Sequence, residues 1–423
     1  MSRLEIPAVG GCSRACAFAL AFLIGVQGAR ADVASDLAAA IVVFPKIVVD
    51  TSTPRQTPRG RVDTLVRISN TSTTGSVSAH CFWVNVNGHC QNSQGTICNP
   101  RLFAVSSPCG PNGYCEPGWQ ETDFDITLTA GQPIAWLASH GEAPCDPQDT
   151  SGLPCLPLPA NQGSRIPGVS EDPFIGELKC IEVDKNGVPV ASNDLKGEAE
   201  IIQSNDGQID VEGYNAIGIP SVGPNNGNQT LVLGGPNAEY SSCPNILILD
   251  HFFDGANDPI SGDAVTTELT LVPCSEDFQH QAVTKITAQF LVFNEFEQRL
   301  STSRPVTCFD DVKISNLDTR SSANSIFNAA VMGTLTGQTR IRGVPDSNAQ
   351  CTAAATPFTC CTGSGTGTCG DGATNAIGMN NALLGIAEEF RDGGGSAAFN
   401  LHFSGTRPTS DFIYLPCDSG NCQ

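Results

Sequence analysis

Four segments of this chain alternate apolar and polar residues with a period of two, and that pattern leaves little room for anything but β-structure. They are residues 62–68, 123–128, 268–272 and 285–293. Successive side chains of an extended strand point to opposite faces, so each segment offers one apolar face to a core and one polar face away from it. Clusters of Gly, Pro, Asn and Asp break these runs, as turn residues do. With 43 Gly and 28 Pro, turns should be many and long helices few. The best helix candidate, residues 380–390, runs into Arg391-Asp392-Gly393-Gly394-Gly395-Ser396 and a second extended run, so a hairpin is the preferred reading.

The two halves carry landmarks in the same order. One strand ends at Asn70, another at Asn294; His80-Cys81-Phe82 is matched by Thr307-Cys308-Phe309. Thr127-Leu128-Thr129-Ala130-Gly131-Gln132 is matched by Thr334-Leu335-Thr336-Gly337-Gln338, and a cysteine-rich loop follows in each half. Phe174-Ile175-Gly176 is then matched by Leu383-Leu384-Gly385, and Tyr214 to Pro220 faces Phe412 to Pro416. Short strands of this kind bury their apolar faces by packing one sheet on another. The expected fold is all-β: two tandem immunoglobulin-like β-sandwich domains with disulfide-rich loops. The likeness is one of superfold and implies no function. The expected division is a signal peptide over 1–31, a first domain over 32–220 with an insertion at 88–121, a linker over 221–244 and a second domain over 245–423.

Arg3 and Arg14 precede an apolar run over residues 15–26 that is too short to span a bilayer, and Ala29-Arg30-Ala31 is a small-x-small site. An exported product, secreted, periplasmic or at the cell surface, is expected, without a transmembrane anchor. Removing Cys12 and Cys16 with that leader leaves 17 of the 19 cysteines, an odd number. In an oxidising compartment such density reads as disulfides. The candidates are Cys81, Cys90, Cys98, Cys109, Cys115, Cys145, Cys155, Cys180, Cys243, Cys274, Cys308, Cys351, Cys360, Cys361, Cys369, Cys417 and Cys422. Their connectivity stays open. Within 88–121 there is too little apolar content for a core, so crosslinks must order that stretch.

Net charge is -21, which sets the surface against nucleic acid and anionic headgroups. The pair His80-Cys81 and His89-Cys90 has the ligand types of a zinc or copper site, but neighbours on a strand face opposite ways and the spacing fits no finger or ribbon. Six histidines, at 80, 89, 140, 251, 280 and 402, lie near no Gly-x-Ser-x-Gly elbow, and no catalytic residue is assigned. His140 and His251 are the candidates for a base. No cofactor is expected apart from calcium, for which Asp250, Asp254, Asn257, Asp258 and Asp263 offer hard oxygen donors on one loop.

The leading expectation is a non-enzymatic structural or binding protein that presents loops on β-sandwich scaffolds to an extracellular protein or glycan. Tyr114 and Trp119 are its candidate contact aromatics. The alternatives are a secreted hydrolase with a dispersed active site, and a surface adhesin or matrix component crosslinked through the odd cysteine.

Overall fold

The computed structural model describes residues 33–51, 60–98, 108–110, 113–116, 118–144, 155–156, 166–205, 208–279, 281, 283–345 and 382–416. The expected leader, His280, Cys145, Cys351, Cys360, Cys361, Cys369, Cys417 and Cys422 lie outside these residues, and Cys155 is described in its backbone alone. The architecture is all-β, and among the described residues the α-helix is a single turn, Ala329–Met332.

Four of the sheets follow one another face to face. The first outer sheet runs Pro133–Leu137, Arg61–Asn70, Leu195–Asn205, Gln208–Asn215, with short strands added at its Pro133–Leu137 edge. The first inner sheet runs Ile217–Ile219, Ile41–Val49, Phe174–Val183, Val77–Asn85, Gln120–Leu128. The second inner sheet runs Asp310–Lys313, Val265–Pro273, Leu383–Arg391, Ser396–Asn400. The second outer sheet runs Arg299–Thr307, Lys285–Asn294, Thr336–Pro345, Pro244–Phe252, His402–Thr406. The alternating runs all fall in strands, and residues 383–400 form the antiparallel hairpin expected of them.

Parity along the strands sorts the apolar residues into three cores. Val42, Phe44, Trp83 and Cys180 of the first inner sheet join Val66, Ile68 and Ile201 of the first outer sheet. Leu269, Leu271 and Ala387 of the second inner sheet join Leu249, Phe290, Val292 and Ile341 of the second outer sheet. The intervening residues Ile41, Val43, Phe82 and Ile181 pack with Val272 and Leu384 in a third core between the inner sheets. A fifth sheet, Thr230–Leu233, Asp411–Tyr414, Glu276–Asp277, closes that middle core with Leu231, Leu233 and Ile413.

This corrects the expectation of two self-contained immunoglobulin-like sandwiches in tandem. Four sheets pack in succession and a fifth closes the middle layer, a propeller-like arrangement of five, because the inner sheets are apolar on both faces and neither could end at water. Residues 221–244, expected as a linker, supply a strand and the buried Leu231, Leu233, Tyr240 and Cys243 to the middle core. The chain from Ala31 onward is one contact unit.

Candidate functional site

A cleft of about 490 Å³ opens on the second outer sheet, where Pro244–Phe252, Thr336–Pro345 and Lys285–Asn294 lie side by side. Register places His251 and Asn294 on either side of Gly337, and Asp250 and Phe293 on either side of Gln338. Gly337 is required there, because a Cβ would come within 2.6 Å of the Phe293 carbonyl oxygen and closer still to the Phe253 ring. The tight turn after Lys285–Asn294 is fixed by Asn294, whose Oδ1 accepts from the Phe296 and Gln298 amides and whose Nδ2 donates to the Met332 carbonyl at 2.9 Å. Asn70 does the same work in the first half, with Oδ1 accepting from the Ser72 amide and Nδ2 donating to the Gly75, Leu128 and Thr129 carbonyls.

The cleft is acidic. Asp250 accepts from Gln338 Nε2 at 3.0 Å, and Glu295 accepts from the Thr336 amide and hydroxyl, which hold it below the usual carboxylate range. Glu389 completes the lining, and burial pushes its carboxyl up despite the Phe252 amide that donates to it. Phe252 and Phe293 supply half-buried apolar surface, and Phe296, on the turn beyond Glu295, is 70% exposed.

His251 also lines the cleft, yet it is unsuited to proton transfer. Burial pulls its pKa down to about 4, so the ring is neutral near pH 7. Its Nδ1 donates to the Phe252 carbonyl at 2.9 Å, which leaves Nε2 to accept from the Thr339 hydroxyl at 2.8 Å. Both nitrogens are thereby used. At the other candidate base, Ser139 Oγ lies 2.5 Å from His140 Nδ1 and also contacts Asp63 Oδ2. The order is acid–serine–histidine, whereas a hydrolase needs the histidine between the other two so that the acid orients the base. The serine's single proton goes to Asp63, and no relay forms.

The five loop residues expected to hold calcium do not converge. Asp254 is buried and accepts from the Thr267 and Ser315 amides; Asp258 accepts from the Ile260 and Ser261 amides and pairs with Arg391 at 2.9 Å. Asp250 faces the cleft, Asn257 bridges Ala264 through its backbone, and Asp263 lies under Gly393. Asp254 and Asp258 thus act as acceptors for backbone amides. Among the described residues, the carboxylates whose oxygens fall within 4.8 Å of one another are instead Glu268, Asp311 and Glu388, and their cation is Lys46 of the first inner sheet, whose Nζ lies 2.8 Å from Asp311 and contacts Glu388.

The disulfides Cys81–Cys180, Cys90–Cys109, Cys98–Cys115 and Cys243–Cys274 are formed. The middle two tie a small sheet, Ser93–Cys98, Gly88–Cys90, Cys115–Glu116, whose core among the described residues is their own sulfur. Both His-Cys pairs thus carry oxidised sulfur. Among the described residues the unbridged thiol is Cys308, buried and pushed well above the usual thiol range by desolvation, which makes it a poor partner for a crosslink between chains. Tyr114 is 51% exposed, whereas Trp119 packs on Phe278 and donates to Glu276 Oε1 at 3.4 Å, so of the two aromatics expected on a contact surface Trp119 is held against the middle core.

Two further carboxyls set a pH dependence. Burial raises Glu182 and Glu121 from about 4.5 in the open chain to about 7 in the fold. The native state then binds more protons than the unfolded one between those values, so stability is greatest at the acid end of the window and falls as pH rises through it. Glu182 is the more buried of the two and contributes up to about 3 kcal/mol. Urea midpoints should fall between pH 5 and pH 8, and Glu182→Gln should flatten the slope; midpoints that climb with pH would contradict this.

No family model matches the chain, and no curated protein matches it.

Proposed function

We propose that the protein is exported and acts by binding, not catalysis, with the acidic cleft of the second outer sheet taking an uncharged extracellular glycan. The observation that carries this reading is the chemistry of the lining: Asp250, Glu295 and Glu389 accept hydrogen bonds but do not donate as carboxylates, Phe252 offers an apolar face, and the histidine is locked neutral. Sugar hydroxyls donate to carboxylates, and sugar ring faces stack on aromatics such as the exposed Phe296. The carboxylates and the overall charge of -21 disfavour anionic ligands.

Calorimetric titration with uncharged oligosaccharides, sulfated oligosaccharides and oligolysine tests this. Binding of the uncharged set is expected, weakened about 10- to 100-fold by Asp250→Asn, since one hydrogen bond to a charged acceptor contributes about 1.5–3 kcal/mol. Binding of oligolysine alone would make the cleft a site for basic protein segments instead. Silence from all three probes would remove the cleft from the function.

The halves are further proposed to descend from one duplicated sandwich-type unit. In support, Asn70 and Asn294 tie equivalent strand ends, and Gly176 and Gly385 stand at the same place in their strands, where a Cβ would strike the Val84 and Thr270 carbonyl oxygens.

A further inference from the structure

Between the inner sheets, Lys179 lies in a dry pocket of side chains. Its relative exposure is 0%, as is that of Glu177, and Glu276 is at 1%. Lys179 and Glu177 stand two residues apart on one face of Phe174–Val183, so both point into the middle layer. Glu276 comes from the short strand of the fifth sheet, held by its pairing with Ile413 and by the nearby Cys243–Cys274 bridge. Lys179 Nζ contacts Glu276 Oε2 directly and lies 3.2 Å from Glu177 Oε1 and 3.3 Å from the Pro273 carbonyl. Trp119 Nε1 donates to the other Glu276 oxygen at 3.4 Å, while Glu177 Oε2 is buried without a hydrogen-bond partner. One cation and two carboxyls are thus held out of contact with bulk solvent on strands 97 residues apart.

We propose that Lys179 and Glu276 are joined by an intramolecular isopeptide bond, with Glu177 as the proton-transfer residue. A proton moves within the pair from the ammonium to the Glu276 carboxylate, leaving an amine beside a carboxylic acid. The amine lone pair attacks Cδ of Glu276, whose carbonyl oxygen is polarised by the Trp119 indole. Glu177 gives its proton to the departing hydroxyl and recovers one from the nitrogen. The Nζ–Cδ bond forms, the Cδ–OH bond breaks and one water leaves; nothing is oxidised or reduced, and no other reactant enters.

Two physical effects favour condensation here. The side chains are out of reach of bulk water, the product that would drive the reverse reaction, and Lys179 Nζ already contacts the carboxylate it would attack, which lowers the entropic cost of their encounter. The bond also removes a cation and an anion from a layer where each is costly to keep. Burial raises the Glu177 carboxyl against the opposing pull of Lys179, which favours the protonated form that the step uses. The remaining product is an amide and a neutral acid.

The full chain, produced in an oxidising compartment, is denatured, reduced, alkylated and weighed. The expected mass is one water below that calculated for the mature chain with all its cysteines alkylated, trypsin fails to cut after Lys179, and one branched fragment carries both Lys179 and Glu276. Glu177→Gln, which keeps size and shape, should restore the full mass and the cut. A wild-type chain of full mass that is cut after Lys179 overturns the proposal, and so does a branch that maps to any other pair. Because the reading is made on the denatured wild-type chain, it does not depend on any variant folding.

Discussion

Lys46→Met should lower the stability of the fold by about 3–5 kcal/mol, the cost of leaving a buried ionic partner uncompensated. Lys46 is 2% exposed and Glu388 1%, and their contact joins the first inner sheet to the second. The lysine reaches across because Pro45 and Lys46 form an irregularity in Ile41–Val49, where the pairing shifts between Phe44 and Ile47. Tyr214 steadies that irregularity by donating its hydroxyl to the Lys46 carbonyl. Without the ammonium, Glu388 keeps one oxygen that already lacks a partner and loses the charge that stabilises the other. Asp311 and Glu268 are partly exposed and stay hydrated. Adding Glu388→Leu to Lys46→Met should therefore recover most of the loss, since an apolar pair carries no desolvation cost. Urea unfolding of both variants checks this; a single variant within about 1 kcal/mol of the parent would show that the pair is not what holds the layers together.

Removing the Cys81–Cys180 bridge with paired alanines should cost about 4–5 kcal/mol. The bridge closes a loop of 99 residues, and the entropy withheld from the unfolded chain grows with loop length. Both sulfurs also sit in the first core, between strands paired directly at these residues, so the alanines leave a void there. The contrast lies with Cys90–Cys109 and Cys98–Cys115, which close loops of 19 and 17 residues. Their loss should open the small sheet locally and leave the main transition nearly unmoved, because among the described residues no other apolar side chain is buried in that cluster. Calorimetry on the two sets of variants separates the cases. Equal shifts would mean that the small sheet is cooperative with the body.

The cleft and the middle layer differ in how far the sequence alone reveals them. Asn70 and Asn294 stand out in the sequence as strand ends, and the side chain of each ties the turn that follows its strand. Asp250 and His251 were noticed, but as a calcium ligand and a base; what they line depends on Gly337 and Phe293, which reach them only through sheet register. Glu295 and Glu389 gave no signal, because an isolated carboxylate on a strand looks like any solvated residue. The run Ile41–Val49 was missed for a different reason. Apolar on both faces, it has no alternation to read, and its continuity was the one clue.

By itself the sequence determined the local terms: extended backbone wherever polarity alternates, turns wherever Gly, Pro, Asn and Asp cluster, and sulfur bridges within 88–121, where apolar content runs out. These depend on neighbours within a few residues, which a linear reading contains. The order of the sheets, the burial of Lys46 against Glu388 and of Lys179 against Glu276, and the cleft beside Gly337 were decided by tertiary structure. Lys46 and Glu388 are 342 residues apart, and such a pairing exists only after both faces of the inner sheets have been covered. Charge in water and charge in a dry layer are written with the same letters.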